Sequence, residues 1–164
     1  MQLQGRIHTL PGYVRHFMVA FVLVLSVGYF SGLTFVRQTN SVSPNGLVEN
    51  YLGNEEAEEV EVMKFKKGER EMLTILHTHI LSISFIFFLL GGLVAITSLP
   101  AKLKAFLMIE PFVSILLTFG GIYFMWKGVL WMKWIVIISG TVMTAVYIMA
   151  AGAVLWQLVA RKRK

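Results

Sequence analysis

The sequence predicts an all-α membrane protein, built as a bundle of four transmembrane helices that run alternately up and down. Hydrophobic residues make up 56% of the chain and charged residues only 15%, whereas soluble domains average about 45–50% and about 25%. Four apolar stretches each reach the length of about 20 residues that an α-helix needs to cross a bilayer. Cysteine is absent, which excludes disulfides, iron–sulfur clusters, covalently attached haem and thiolate catalysis.

The four spans follow one another with short connections, except for one long loop. The apolar stretches are residues 17–36, 80–99, 105–126 and 134–160. They predict helices over about residues 15–37, 69–99, 103–127 and 131–160, in a single membrane domain of residues 1–164, with an outer loop at 38–68. The first stretch is expected to remain as a membrane helix, because the apolar core of a signal peptide is only about 7–15 residues long.

The basic residues predict the orientation. Eight of them, with no acid among them, lie in the two tails and in the turn between the second and third spans: Arg6, Arg15, Lys102, Lys104, Arg161, Lys162, Arg163 and Lys164. Because short cytoplasmic segments carry an excess of Lys and Arg, both termini are predicted to be cytoplasmic and the loop at 38–68 to lie outside. The net charge of +6 therefore reflects topology. The lipid bilayer is the expected partner, and nucleic acid is not.

Two histidines, His77 and His79, stand at the outer mouth of the second span. Residues two apart on a helix point about 200° apart, so these two rings cannot hold one iron together. Neutral imidazole binds haem iron, zinc and copper, which makes haem b or a divalent metal a candidate cofactor. The second haem ligand would be Met125, Met132, a residue of a partner subunit, or none. Alternatively, the histidines hydrogen-bond headgroups, loop carbonyls or water at the interface.

Glu110 is the one acidic residue within the four apolar stretches, and Pro111 follows it. An intramembrane carboxyl group is by default a candidate proton carrier or ion ligand. Two structural alternatives remain open. The third helix could begin at Pro111, which would leave Glu110 near the interface, or Glu110 could pair with one of the nearby basic residues, Arg15, His16 or Lys104.

The outer loop changes composition abruptly and ends in an acidic run. The residues expected to dock a basic partner are Glu49, Tyr51, Glu55, Glu56, Glu58 and Glu59. The alternatives are extra oxygen ligands for a cation and a solvated charge run. Three pairs of small residues, one turn apart, are expected to let helices approach inside the bundle: Gly28 and Gly32, Ser114 and Thr118, and Gly140 and Thr144.

The outer segment also carries a resemblance. It contains Gly46-Leu47-Val48-Glu49-Asn50-Tyr51-Leu52-Gly53-Asn54-Glu55, Met63-Lys64-Phe65-Lys66-Lys67, Glu71-Met72-Leu73 and His77-Thr78-His79. These runs resemble a group of small four-helix inner-membrane proteins of Bacteroidota-type bacteria, and the likeness extends over the whole chain. The resemblance implies a bacterial inner membrane and brings no established activity with it.

No catalytic motif accompanies these features. A Walker loop, GxSxG and HExxH are all absent, so a stand-alone enzyme is not predicted. The function predicted is a small integral subunit of a larger respiratory or redox-linked membrane complex, whose outer His-x-His end contacts a cofactor or a partner. Two alternatives stay open: a b-type haem or metal-binding electron carrier in its own right, and proton or ion conduction through Glu110.

Overall fold

The computed structural model describes residues 5–55 and 62–160, and at residue 6 only the backbone. Within these ranges it contains helices and no strand. A short 3-10 helix (Arg6–Thr9) precedes α1 (Gly12–Gln38), α2 (Pro44–Leu52), α3 (Glu69–Ala95), α4 (Ala101–Trp126) and α5 (Met132–Val159). α1, α3, α4 and α5 are each long and apolar enough to cross a membrane. The predicted all-helical, four-span fold is confirmed.

The most extensive helix contact joins α4 to α5, and α3 packs on α4 beside it. Gly121 of α4 allows the close approach, because a Cβ atom placed there would lie 2.8 Å from Cγ2 of Val136. One turn away, the hydroxyl groups of Thr118 and Ser139 are 2.7 Å apart. Small and hydroxyl-bearing residues are what helices use to pack closely in lipid. The pair Ser114 and Thr118 therefore packs inside the bundle, as expected.

α1 is the least embedded span. Val22 is the one buried residue of this helix, and α1 contacts mainly α5. Gly28 and Gly32 are exposed, and nothing would lie within 4 Å of a Cβ atom at either position. The expectation that these two glycines pack inside the bundle is therefore wrong, because they face away from it.

The two described ends of the chain meet at one end of the bundle. Arg15 at the start of α1 donates from Nε to the carbonyl oxygen of Leu158 near the end of α5, at 2.9 Å. The backbone N–H of Gly5 donates to the carbonyl of Thr97, in the turn between α3 and α4, at 3.1 Å. We call this the inner end and the opposite one the outer end. Its assignment to the cytoplasm stays a prediction from the basic residues.

The largest differences between the structure and the predicted helix ranges lie in two places. α3 ends at Ala95 rather than near residue 99, because the chain tightens there: the backbone N–H groups of Ile96 and Thr97 donate to the carbonyls of Leu93 and Val94. The segment predicted as an outer loop contains a helix, α2, that the sequence analysis did not predict.

Adjacent glycines in α4 offer a matched test of this packing. We expect Gly121→Ala to lower the free energy of unfolding by about 1–2 kcal/mol, since the new methyl group presses on Val136. Gly120→Ala should leave stability unchanged or raise it slightly, because its Cβ meets nothing within 4 Å and alanine favours helix. Thermal unfolding in detergent, followed by circular dichroism, measures both. Equal effects of the two substitutions would contradict the α4–α5 contact.

Candidate functional site

The outer end of the bundle is covered by α2. Ser43 caps this helix by accepting a hydrogen bond from the backbone N–H of Gly46 at 3.0 Å, and Pro44 occupies its first turn, where the missing N–H costs nothing. Leu47 is buried, and α2 contacts both α4 and α5. Gly53 ends the helix with a φ of 83°, a backbone conformation that favours glycine.

Asn54 ties the return chain to the end of α2. Its Oδ1 accepts from the backbone N–H of Lys64 at 2.7 Å, and its Nδ2 donates to the carbonyl of Val62 at 3.1 Å. The Asn54 N–H donates in turn to the Lys64 carbonyl at 2.9 Å. Farther on, the N–H of Lys67 donates to the carbonyl of Tyr51 at 3.1 Å. The described part of the outer segment is therefore a hydrogen-bonded unit.

Trp126 joins this unit to the spans. Its indole Nε1 donates to the carbonyl of Lys67 at 2.8 Å. The ammonium groups of Lys66 and Lys127 lie 5.4 and 4.7 Å from the ring centroid, within the range of cation–π attraction. A tryptophan with one polar and one apolar side is typical of a membrane–water interface, which agrees with Trp126 marking the outer boundary.

The predicted docking residues are only partly available to a partner. Tyr51 is partly buried and packs against the core, and Glu49 is also partly buried. Glu55 is exposed, with Oε1 accepting from the backbone N–H of Lys66 at 3.2 Å. Glu56, Glu58 and Glu59 lie outside the described residues. The docking role of the acidic run stays a prediction.

The two histidines lie on α3 with different surroundings. Both are exposed. The His79 ring lies 5.4 Å from that of Phe119 on α4, and its Nδ1 is 2.7 Å from the carbonyl oxygen of Ile75. Because a carbonyl only accepts, Nδ1 is the donor in this contact. In the described part of the chain no residue hydrogen-bonds the His77 ring, which lines an open groove with Glu69, Arg70, Leu73 and Thr74.

Met125 does not lie at the level of His79. Met125 is fully buried, and Met132 is partly buried against the core. His79 is level with Phe119, whereas Met125 lies six residues farther along α4, about 9 Å at 1.5 Å per residue. Among the described residues there is also no group of three or more His, Asp or Glu that could hold a metal ion. The ligand set His77, His79, Met125 and Met132 stays a prediction.

Glu110 lies inside α4, nine residues from its first residue, or about 14 Å along the helix axis. Ser114, one turn farther on, donates a hydrogen bond to Oε1. Oε2 is buried without a hydrogen-bond partner in the described part of the protein. An unsatisfied carboxyl oxygen in an apolar interior is costly, so this atom marks Glu110 as a candidate functional group.

Both structural alternatives for Glu110 are wrong. Pro111 is an interior residue of α4, which begins ten residues earlier, at Ala101. Proline is tolerated inside membrane helices where neighbouring groups compensate for the lost hydrogen bond. The basic candidates are used elsewhere or exposed: Arg15 donates to Leu158, Lys104 donates to the carbonyl of Ala95 at 3.1 Å, and His16 is exposed. The ion pairs of the described residues do not include Glu110.

Two tyrosines near this carboxyl group were not singled out from the sequence. Tyr29 of α1 and Tyr147 of α5 stack with ring centroids 3.8 Å apart, and the Tyr29 phenol is close enough to Glu110 for an electrostatic interaction. Tyr29 is 3.3 Å from the Thr144 hydroxyl and Tyr147 is 3.1 Å from the Ser26 hydroxyl. The sequence did carry a signal for both residues: each lies far from either end of its span, and a phenol in the membrane interior needs a hydrogen-bond partner.

Comparison with known proteins places these features in a family. The family model described as a transmembrane helical domain, Aq_1264_TM, matches residues 41–164. The chain belongs to this family. The Aq_1264_TM match includes α2, α3, α4 and α5 and begins after α1; the family brings no characterised activity. No match to the chain was found among curated proteins or among solved structures.

The Aq_1264_TM domain thus contains both histidines, Glu110 and the outer segment. Tyr29 and Ser26 belong to α1, outside the matched residues. The stacked pair of Tyr29 and Tyr147 therefore joins a helix outside the matched residues to one within them.

Asn54 provides a test of the outer segment. Asn54→Ala removes both side-chain hydrogen bonds to the return chain. Each hydrogen bond has a net value of about 1 kcal/mol. Without them, the fraction of molecules in which the return chain has detached from the end of α2 should rise at least about tenfold. Trypsin cleavage after Lys64, Lys66 or Lys67 should accelerate accordingly. Asn45→Ala, at an exposed position on α2, is the control, and equal cleavage of the two variants would refute the hydrogen-bonded unit.

Tyr51 provides a pH-dependent test. Burial raises the pKa of the Tyr51 phenol above its ordinary value of 10.0. The unfolded chain therefore loses this proton at a lower pH than the folded one. The contribution of the neutral phenol to folding stability is present below about pH 10. It is lost as the pH rises through the pKa of the folded state. Tyr51→Phe should flatten the fall in unfolding temperature between about pH 9 and about pH 11. Tyr13→Phe, at an exposed tyrosine, should not.

Proposed function

We propose that this protein is a small integral subunit of a larger, redox-linked complex in the bacterial inner membrane, and that it meets its partner at the outer end of α3. The observation that carries the proposal is His77. Its ring is exposed about 12 Å along α3 from Glu69, and no described residue hydrogen-bonds it. An imidazole without a hydrogen-bond partner in a membrane span costs free energy. A subunit interface or a cofactor would supply that partner.

The surroundings of His77 are consistent with a partner contact. Glu69, Arg70 and Thr74 lie on the same face of α3 as His77 and line the open groove with it. Charged and hydroxyl groups beside an exposed imidazole give a protein partner polar groups to contact at this end of α3. In this proposal the acidic residues of the outer segment, including Glu55, contribute to docking, and the basic tails remain cytoplasmic.

A second candidate is a b-type haem or metal carrier, favoured by the hydrogen bond of His79. A ligating histidine usually donates its other ring N–H to a carbonyl or carboxylate, which orients the ring. His79 has this arrangement through Ile75, at 2.7 Å. Because Met125 lies about 9 Å from the level of His79 along α4, the opposite ligand in this candidate comes from a partner rather than from Met125.

Spectra of the purified protein test both candidates. We expect a preparation from native membranes in mild detergent to show haem absorption that changes on dithionite reduction, or bound metal, together with co-purifying subunits. His77→Ala should reduce the bound species or the co-purification at least about tenfold, which corresponds to about 1.4 kcal/mol. His79→Ala separates the two candidates. If His79 ligates the haem or metal directly, this variant loses the chromophore and keeps the partner. If His79 is not a ligand, the chromophore remains.

His16→Ala is the matched control, since His16 is an exposed histidine near the inner end. It should leave the spectrum and the co-purification unchanged. A stable, colourless and metal-free monomer that elutes with no other subunit would overturn the proposed function.

A further inference from the structure

The interior of the bundle holds a carboxyl group that the proposed function does not use. Glu110 lies in the interior of α4, where its Oε2 is buried. Tyr29 of α1 and Tyr147 of α5 stack on each other, and Phe87 of α3 places its ring edge-on to both, with centroids 6.3 and 6.0 Å away. These two tyrosines hydrogen-bond Thr144 and Ser26, so of these three ionisable groups Glu110 is the one that keeps a buried, unpartnered atom.

No cation among the described residues balances a charge on Glu110. Residues 17–36 of α1, 80–95 of α3 and 134–159 of α5 contain no Lys, Arg or His. On α4 itself, Lys104 lies about 9 Å toward the inner end at 1.5 Å per residue, where it donates to Ala95. Ser114 alone among the described residues hydrogen-bonds the carboxyl group, through Oε1, and Oε2 is buried and unpartnered.

We infer that Glu110 is a proton-binding site inside the membrane, and that it exchanges its proton with the outer end of the bundle past Ser114 and the Thr118–Ser139 pair. A carboxylate ion without a counter-ion in an apolar medium is so costly that the group neutralises instead. A proton supplies that neutrality and needs no further ligand. A metal cation such as Ca²⁺ or Mg²⁺ takes about six or more oxygen ligands, whereas among the described residues only the Ser114 hydroxyl hydrogen-bonds the carboxyl group.

The distribution of buried polar residues gives the direction of exchange. Toward the outer end, Ser114 and Thr118 follow Glu110 at intervals of four residues, and all three lie on one face of α4. Thr118 reaches Ser139 at 2.7 Å. Because Ser139 donates to the carbonyl of Ile135 at 2.7 Å, Thr118 is the donor in the pair.

Toward the inner end, the buried side chains of the described residues are apolar. The residues between Glu110 and the inner turn include Leu90, Val94, Leu107, Ala151 and Val154, each exposed by 5% or less. Buried polar residues reappear only at the inner end itself, with Thr97 and Gln157. Gln157 is engaged there by the backbone N–H and the hydroxyl of Ser98. On α4 itself, the described residues 101–109 carry no hydroxyl group, whereas Ser114 and Thr118 follow Glu110 on its outward side.

Infrared spectroscopy and carbodiimide labelling test the proton site. The full-length protein in lipid nanodiscs at neutral pH should show the carbonyl stretch of a protonated carboxyl group, shifted in D₂O. An apolar carbodiimide, which reacts with protonated carboxyl groups, should label Glu110. Glu110→Gln should abolish both signals, whereas Glu71→Gln, at an exposed glutamate in the first turn of α3, should leave them. A wild-type protein with neither signal overturns the proposal, and this result does not depend on whether the Gln variant folds.

The direction of exchange is tested by the rate at which the infrared band shifts after transfer to D₂O. Thr118→Val, which keeps the shape and removes the hydroxyl, should slow the shift by about tenfold. Thr141→Val is the control, because Thr141 is exposed on α5 and bonds only its own helix, at Ile137. Equal rates in the two variants would overturn exchange past Thr118. Since these readouts involve neither cofactor nor partner, they stand or fall independently of the proposed function.

Discussion

The packing of α4 against α5 is the contact on which the other parts of the structure depend. In lipid, helices are not driven together by the hydrophobic effect, so close approach and interhelical hydrogen bonds have to associate them. Gly121 against Val136 and Thr118 with Ser139 supply both. α4 then presents Trp126 to the outer segment, and α5 presents Tyr147 and the Leu158 carbonyl to α1.

From the sequence, the position of a residue along each span could be predicted, whereas the face of the helix on which it lies could not. Length and hydropathy predicted four helices because the bilayer sets one thickness for all of them. The faces could not be predicted in the same way, because lipid-facing and core-facing side chains are equally apolar. Gly28 and Gly32 illustrate this: the spacing of two glycines is the same whether they meet a neighbour or face lipid. Ser114 and Thr118, predicted from the same spacing, do pack inside the bundle.

Two other features show where local patterns misled the interpretation. Ser43-Pro44-Asn45-Gly46 has the composition of a turn, but a serine followed by proline also begins a helix, and α2 follows it. Pro111 suggested a helix start for the same reason. In that case the ten preceding residues are already helical, because a membrane-spanning helix has few other ways to satisfy its backbone. The candidate site could be predicted as a residue, Glu110, but not with the tyrosines around it, since α1 and α5 are far apart in sequence.

That separation in sequence has a consequence for biosynthesis. α1 leaves the ribosome before α3, α4 and α5, and its contacts with α5 join residues 143 and 121 positions apart. α1 is therefore in the membrane before α5, the helix that it mainly contacts, has been synthesised. Until then the Tyr29 phenol lacks Thr144, and its ring lacks the stacking partner Tyr147. A chain truncated before α5 would thus leave these polar groups of α1 without their partners.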